Sequence, residues 1–207
     1  MRVLVFLLLP IFIFAQEAYI TKGVKEVKLK YDGKEIVIKR ELKEIPKEYS
    51  NKTLVGVIAP MKIDKNIETI GELEVLDYMK KAQNDDSILL VDARTPNWYE
   101  KIRIPTALNA PFTLFKDKTT AIEELTLDFG VSLKKDKSLD FSEAKTLIIY
   151  CNGAWCAQSL QMIKDAKYSL INLGYPKDKI KYYRGGMQSW VTLGLTTAGS
   201  KGVIKEE

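Results

Sequence analysis

Between residues 24 and 42 apolar side chains alternate with charged ones: lysines separate Val27, Leu29 and Tyr31, and Ile36 and Ile38 resume the alternation after Asp32-Gly33. A period of two predicts strands with one buried face, and Asp-Gly between them is a two-residue hairpin turn. That loop length fixes the register. It sets Leu29 opposite Ile36 and Val27 opposite Ile38 on one face, with Lys30 opposite Glu35 on the other. The lysines read as a solvated sheet face interspersed with glutamates rather than as a polyanion patch. An isolated hairpin is marginal in water, so these strands are expected to pack on the downstream part of the chain. Pro46, Asn51 and Pro60 punctuate a weakly patterned connection, and the boundary to a second unit falls between Pro60 and Asn66.

Beyond that boundary strands and helices alternate. Thr69 with Glu72 reads as a capping box for a helix carrying Leu73, Leu76, Tyr78 and Met79. Two continuous apolar runs, over residues 88–91 and 146–150, have the character of strands buried on both faces of a parallel sheet. A helical pattern runs from Gln158 to about Leu173 and stops at Gly174. A further strand over residues 179–183 ends at Arg184-Gly185-Gly186. This alternation predicts an α/β fold, a parallel sheet flanked by helices, with a small N-terminal β-hairpin extension. Residues 114–145 are charged and weakly periodic, and no chemistry is assigned to them.

The first residues have a different pattern. An apolar run over residues 3–14, interrupted by Pro10, comes after Met1-Arg2. A membrane span needs ~20 apolar residues, so a run of about a dozen reads as a signal-peptide core ending near Ala15. An uncleaved anchor is the alternative, because Ile13 is not the small residue preferred before the cleavage point. The expected organisation is a signal peptide over 1–15, the hairpin extension and linker over 16–65, the α/β domain over 66–198 and a tail over 199–207. The expected location is periplasmic or secreted, with no stable membrane span after cleavage.

Composition then removes whole classes of chemistry. The 207-residue chain is 46% hydrophobic and 29% charged, enough apolar surface for a core without disulfide staples. It contains no histidine and two cysteines. Histidine-based triads, Cys–His dyads and imidazole or four-cysteine zinc sites are therefore excluded, and no metal or cofactor is expected. The net charge of +5 is spread among acids rather than gathered in a basic block, so no nucleic acid is expected as partner.

What remains is sulfur chemistry. Cys151 stands where the strand over 146–150 ends and a helix is about to begin, the position at which open α/β sheets bind ligands. The active-site loop Asn152-Gly153-Ala154-Trp155-Cys156 with Ala157 is short and contains a glycine. Such a loop can curl so that its backbone N–H groups point inward, while the helix beginning near Ala157 adds partial positive charge. Both effects are expected to lower the Cys151 pKa from ~8.5 toward the ~3.5–7.5 range, giving a thiolate nucleophile without a histidine base. The competing reading is a buried, inert cysteine at a strand end.

These residues, in order, resemble a known family. Asp92-Ala93-Arg94-Thr95-Pro96, Ile104-Pro105-Thr106-Ala107-Leu108-Asn109, Tyr150-Cys151-Asn152-Gly153, Leu173-Gly174-Tyr175 and Arg184-Gly185-Gly186-Met187-Gln188-Ser189-Trp190 look like the landmarks of a rhodanese domain. They cover about residues 66–198. The longer string from Cys151 to Ser159, with Tyr182-Tyr183-Arg184-Gly-Gly-Met-Gln, is similar to exported bacterial rhodanese-like proteins with an N-terminal β extension. The resemblance implies that Cys151 is catalytic. It would accept a sulfane sulfur as a persulfide and pass it to a thiol or other nucleophilic acceptor, so the expected partners are a small sulfur donor and that acceptor. Departures are visible too. The loop lacks the basic residues with which many relatives hold thiosulfate, and Ala157 stands where related phosphatases need arginine.

Several roles stay open at this stage. Cys156 is a resolving thiol, a small residue at a helix start, or half of a resting disulfide with Cys151. Asp92 and Arg94 support the loops behind the site as a structural ion pair, and Arg184 either supplies positive charge to the loop or is a solvated surface residue. Trp155 is a lid over the sulfur or a docking residue for a protein partner, while Trp98 and Trp190 are expected in the core. Two other classes of function compete with the enzyme: a rhodanese-like binding or sulfur-carrier module, and a dithiol–disulfide protein using Cys151 and Cys156.

Overall fold

A computed structural model describes residues 18–50 and 56–205; the expected signal peptide lies outside the described residues. Strands β1 (Glu26–Tyr31) and β2 (Lys34–Lys39) pair antiparallel, with Leu29 opposite Ile36, Val27 opposite Ile38 and Lys30 opposite Glu35. Asp32 (φ 49°) and Gly33 (φ 72°) both occupy the left-handed region, which the two-residue turn demands. Val27, Leu29, Ile36 and Ile38 are buried and the charged residues between them face solvent, as the alternation predicts, with Val37 half-buried.

The central sheet begins with β3 (Glu68–Ile70), followed by α1 (Glu72–Lys81), β4 (Ile88–Asp92), α2 (Pro96–Lys101) and the short β5 (Leu108–Asn109). Next come α3 (Lys118–Leu127) and a small ribbon of β6 (Ser132–Leu133) and β7 (Leu139–Asp140). The chain closes with β8 (Thr146–Tyr150), α4 (Gln158–Leu160), α5 (Leu170–Leu173), β9 (Ile180–Tyr183) and α6 (Gly186–Thr192). The five sheet strands run parallel in the order β3-β9-β8-β4-β5, which places β8 at the centre. The α/β architecture with its hairpin is the one expected.

Alternate residues of the central strands point into two cores. On one face Leu90, Ile148 and Tyr150 pack with α1, α6 and the hairpin's Val27, Leu29, Ile36 and Ile38. On the other, Leu147 and Ile149 pack with α3 and α5. The hairpin therefore completes one layer of the central domain's own core.

Two local expectations are corrected. Thr69 is not a cap: it lies in β3 opposite Tyr182, and Gly71 opens α1, its N–H donating to Glu74 Oε2 at 3.0 Å. Sheet pairing captured the residues that the capping pattern had claimed. The single helix over residues 158–173 is broken. After α4 a π-helical turn, Gln161–Asp165, widens the chain, Ala166 is extended (ψ 153°), and Ser169 caps α5 as a new start. Gly174 ends α5 at φ 95°, the stop signal its sequence position suggested.

Candidate active site

β8 delivers Cys151 to the carboxyl edge of the sheet, where it is 2% exposed. The next residues fold back at once. Cys156 N–H donates to Gly153 O at 2.9 Å, closing a turn that returns Cys156 to Cys151. The N-terminus of α6 clamps the other side: Met187 N–H donates to Cys151 O (3.0 Å) and Gln188 N–H to Asn152 O (2.8 Å). This close approach needs Gly186, which sits at φ 55°. A Cβ there would lie 2.3 Å from Cys151 O and 2.9 Å from Gly153 N. The glycine pair is thus a packing device. Trp155 is half-buried over the loop and donates from Nε1 to Gln188 Oε1 at 2.8 Å.

The polar surroundings of the two sulfurs differ from expectation. Two carbonyl oxygens and the amide of Ser159, not a ring of amides, face Cys151. Its thiol donates to Cys156 O at 3.2 Å and approaches Gly153 O at 3.8 Å, while Ser159 Oγ donates to the sulfur at 3.2 Å. Burial, followed by the neighbouring Cys156 thiol, raises its pKa well above the ordinary thiol value. The helix dipole adds little, since α4 is one short turn. Cys156 instead receives the stabilisation predicted for Cys151. Its hydrogen bond with Cys151, then the amides of Gln158 and Asn152 and the Asn152 side chain, outweigh burial and pull it down to about 6. The first proton to leave the pair therefore leaves Cys156. Both cysteines are free thiols.

Behind the loop lies a buried polar network. Arg94 and Asp92 are fully buried and face each other, Nε donating to Oδ1 at 2.8 Å and Nη2 to Oδ2 at 2.5 Å. Tyr150 Oη donates to Asp92 Oδ2 (2.7 Å), and Arg94 Nη2 also donates to Ile102 O (2.6 Å). The remaining Arg94 nitrogen, Nη1, donates to Tyr49 Oη at 2.8 Å, and Tyr49 Oη donates to Asn152 Oδ1 at 3.0 Å. With Oδ1 so engaged, Asn152 turns Nδ2 toward Cys156 Sγ, 4.0 Å away.

The connection after the hairpin crosses over this site. Ala59 N–H donates to Ala154 O at 2.7 Å, and Gly56 packs so closely on Trp155 O that a Cβ would sit 2.3 Å from it. Arg184, half-buried, spends its Nε on Ala59 O (2.8 Å). It anchors the crossing segment. The fold thus gathers Cys151, the loop 152–157, Asp92, Arg94 and, through Ala59, Arg184. Sequence reasoning missed Tyr49, Ser159 and Gln188. Nothing in the local pattern marks Tyr49, whose partner Asn152 is 103 residues away. Among the described residues no His/Cys/Asp/Glu group could hold a metal, and no helix is long and apolar enough to cross a membrane.

The rhodanese-like domain family model matches residues 75–193, more than half of the chain. A thiosulfate:glutathione sulfurtransferase of Saccharomyces cerevisiae is 28% identical over 132 residues, covering 63% of this chain and 84% of its own. A Bacillus halodurans protein of known structure is 22% identical with a TM-score of 0.46, covering 67% of this chain and 82% of its own. A rhodanese-like domain from Anabaena is 16% identical with a TM-score of 0.41, covering 70% and 89%. This chain belongs to the rhodanese-like domain family.

Proposed function

We propose that the protein is an exported sulfurtransferase in which Cys151 accepts a sulfane sulfur as a persulfide and passes it to a thiol or other nucleophilic acceptor. The observation that carries this reading is the position of Cys151. It is a free thiol at the carboxyl end of the central strand, at the mouth of a loop clamped by α6, in a chain that belongs to the rhodanese-like family. The name of the yeast relative supports sulfur transfer in general.

The thiol pair answers the lack of histidine. Cys156, lowered to about 6, carries the negative charge near neutral pH, and the Cys151 proton can pass to it as a sulfur donor approaches. Cys151 then attacks the outer sulfur of the donor, the donor's thiolate leaves, and Cys151 holds the persulfide. Transfer to an acceptor thiol regenerates the pair. Residues 152–157 contain no basic side chain, Arg94 is paired with Asp92, and Arg184 gives its Nε to Ala59 O. A thiol persulfide or polysulfide is therefore favoured over thiosulfate as donor. Export rests on the apolar run over residues 3–14.

Incubating the reduced protein with glutathione persulfide, then measuring intact mass, tests the chemistry. Wild type is expected to take up one sulfur atom, read either as a cyanide-removable mass gain or as the sulfide it then releases, and Cys151→Ala to take up none. Uptake that survives Cys151→Ala, or none by wild type, overturns the assignment. Cell fractionation with N-terminal sequencing tests export.

A further inference from the structure

Beyond holding a persulfide, we infer that the site cleaves it: Cys156 is a second reacting thiol that expels the sulfur as hydrogen sulfide and closes a disulfide with Cys151. This rests on the persulfide reading above and assigns Cys156, whose part in that reading is only to share a proton, a covalent role.

Geometry supplies the first argument. The Gly153–Cys156 turn brings Cys156 back onto Cys151, with the Cys156 carbonyl 3.2 Å from the Cys151 sulfur and Asn152 Nδ2 facing the Cys156 sulfur at 4.0 Å. Both cysteines lie on one short loop closed by the Cys156 N–H to Gly153 O hydrogen bond. A second argument is the polar network, which ends on Cys156 and not on Cys151. Arg94 and Tyr49 hold Asn152 Oδ1, and Asn152 faces Cys156 with Nδ2, so a buried cation is relayed to that sulfur through an oriented amide. A small space-filling residue at a helix start would have no use for such a relay. The third argument is ionisation. A thiol lowered to about 6 is a nucleophile at neutral pH, whereas Cys151 is raised by burial.

The step balances without another reactant. The Cys156 thiolate attacks Sγ of the Cys151 persulfide, an S–S bond forms between the cysteines, and the bond from Cys151 to the outer sulfur breaks. The outer sulfur leaves with the electron pair as hydrosulfide. The sulfane sulfur is reduced to sulfide while the two cysteines are oxidised to a cystine. A dithiol reductant resets the pair by exchange.

A single turnover decides it. Fully reduced protein is mixed with substoichiometric glutathione persulfide and stripped of small thiols. Released sulfide is then followed by bimane trapping, while alkylation and non-reducing peptide mapping locate the cysteines. The expected result is sulfide release matching the sulfur loaded and a peptide linked through Cys151 and Cys156. In Cys156→Ser and Cys156→Ala the sulfur should stay on Cys151 until external thiol is added. A wild-type persulfide that persists with Cys156 alkylatable overturns this inference and leaves the sulfurtransferase reading standing. Failure of wild type to take up sulfur overturns both. Sulfide release from the Cys156 variants at the wild-type rate, without external thiol, also overturns it.

Discussion

Asn152 joins the buried network to the sulfur chemistry. Its Oδ1 receives Tyr49 Oη and Arg94 Nη1, so its Nδ2 has one orientation to offer, toward Cys156. In Asn152→Ala the first thiol titration should move up from about 6 toward the ordinary thiol range. The pH dependence of iodoacetamide alkylation, read at Cys156 by mass spectrometry, measures that shift. Tyr49→Phe removes one buried hydroxyl from two partners, and urea denaturation should show a loss of ~1–2 kcal/mol. At this scale Cys151 was legible because an apolar strand runs straight into it. Its ionisation was not. Whether carbonyls or amides face a sulfur depends on one turn, Cys156 N–H to Gly153 O, which composition does not encode. Tyr49 was invisible for a different reason, since its function is a contact between distant parts of the chain.

The hairpin shows how much an element's own pattern can determine. Alternation together with Asp32-Gly33 specified each cross-strand pair, because the two-residue turn leaves no freedom in register. The long helix was over-read. Its apolar spacing spans the π turn and the extended Ala166, and hydrophobic period alone does not reveal a break when both halves face the same core. Thr106 occupies φ 72° where a glycine would sit without strain, in a stretch resembling the family's Ile-Pro-Gly-Ala landmark. Thr106→Gly should therefore stabilise the fold by up to ~1 kcal/mol in thermal unfolding, relief of left-handed strain exceeding the added chain entropy. On α3, Glu124 is raised to about 7 by burial and then by Asp128, and its Oε1 has no hydrogen-bond partner. A carboxyl whose folded pKa lies above its unfolded value of 4.5 favours the native state at low pH, and that contribution is lost as pH rises through about 7. Glu124→Gln should raise Tm at pH 8 and change it little at pH 5. Partial exposure keeps the effect to ~1 kcal/mol.

At the scale of the molecule, the parallel sheet and the placing of Cys151 at its carboxyl edge were legible from strand–helix alternation. That the hairpin packs on the downstream chain was expected from the marginal stability of a lone hairpin; which surface covers it was not legible, because alternation shows which hairpin face is apolar and not what meets it. Here it is covered by the core containing Trp190, Tyr150 and α1. Removing residues 16–65 would expose that surface and take away Tyr49. The truncated chain should melt at lower temperature and bind hydrophobic dyes, as scanning fluorimetry would show. The segment that ends this extension also roofs the loop, through Ala59 on Ala154 and Gly56 on Trp155. Cys151 lies beneath with almost no exposed area, so under the persulfide reading proposed above an added sulfur atom would have to displace its neighbours. Loop or roof must yield, and the cargo's presence is thereby written on the outside of the molecule. An acceptor able to sense that change of relief could tell a laden protein from an empty one before touching the sulfur.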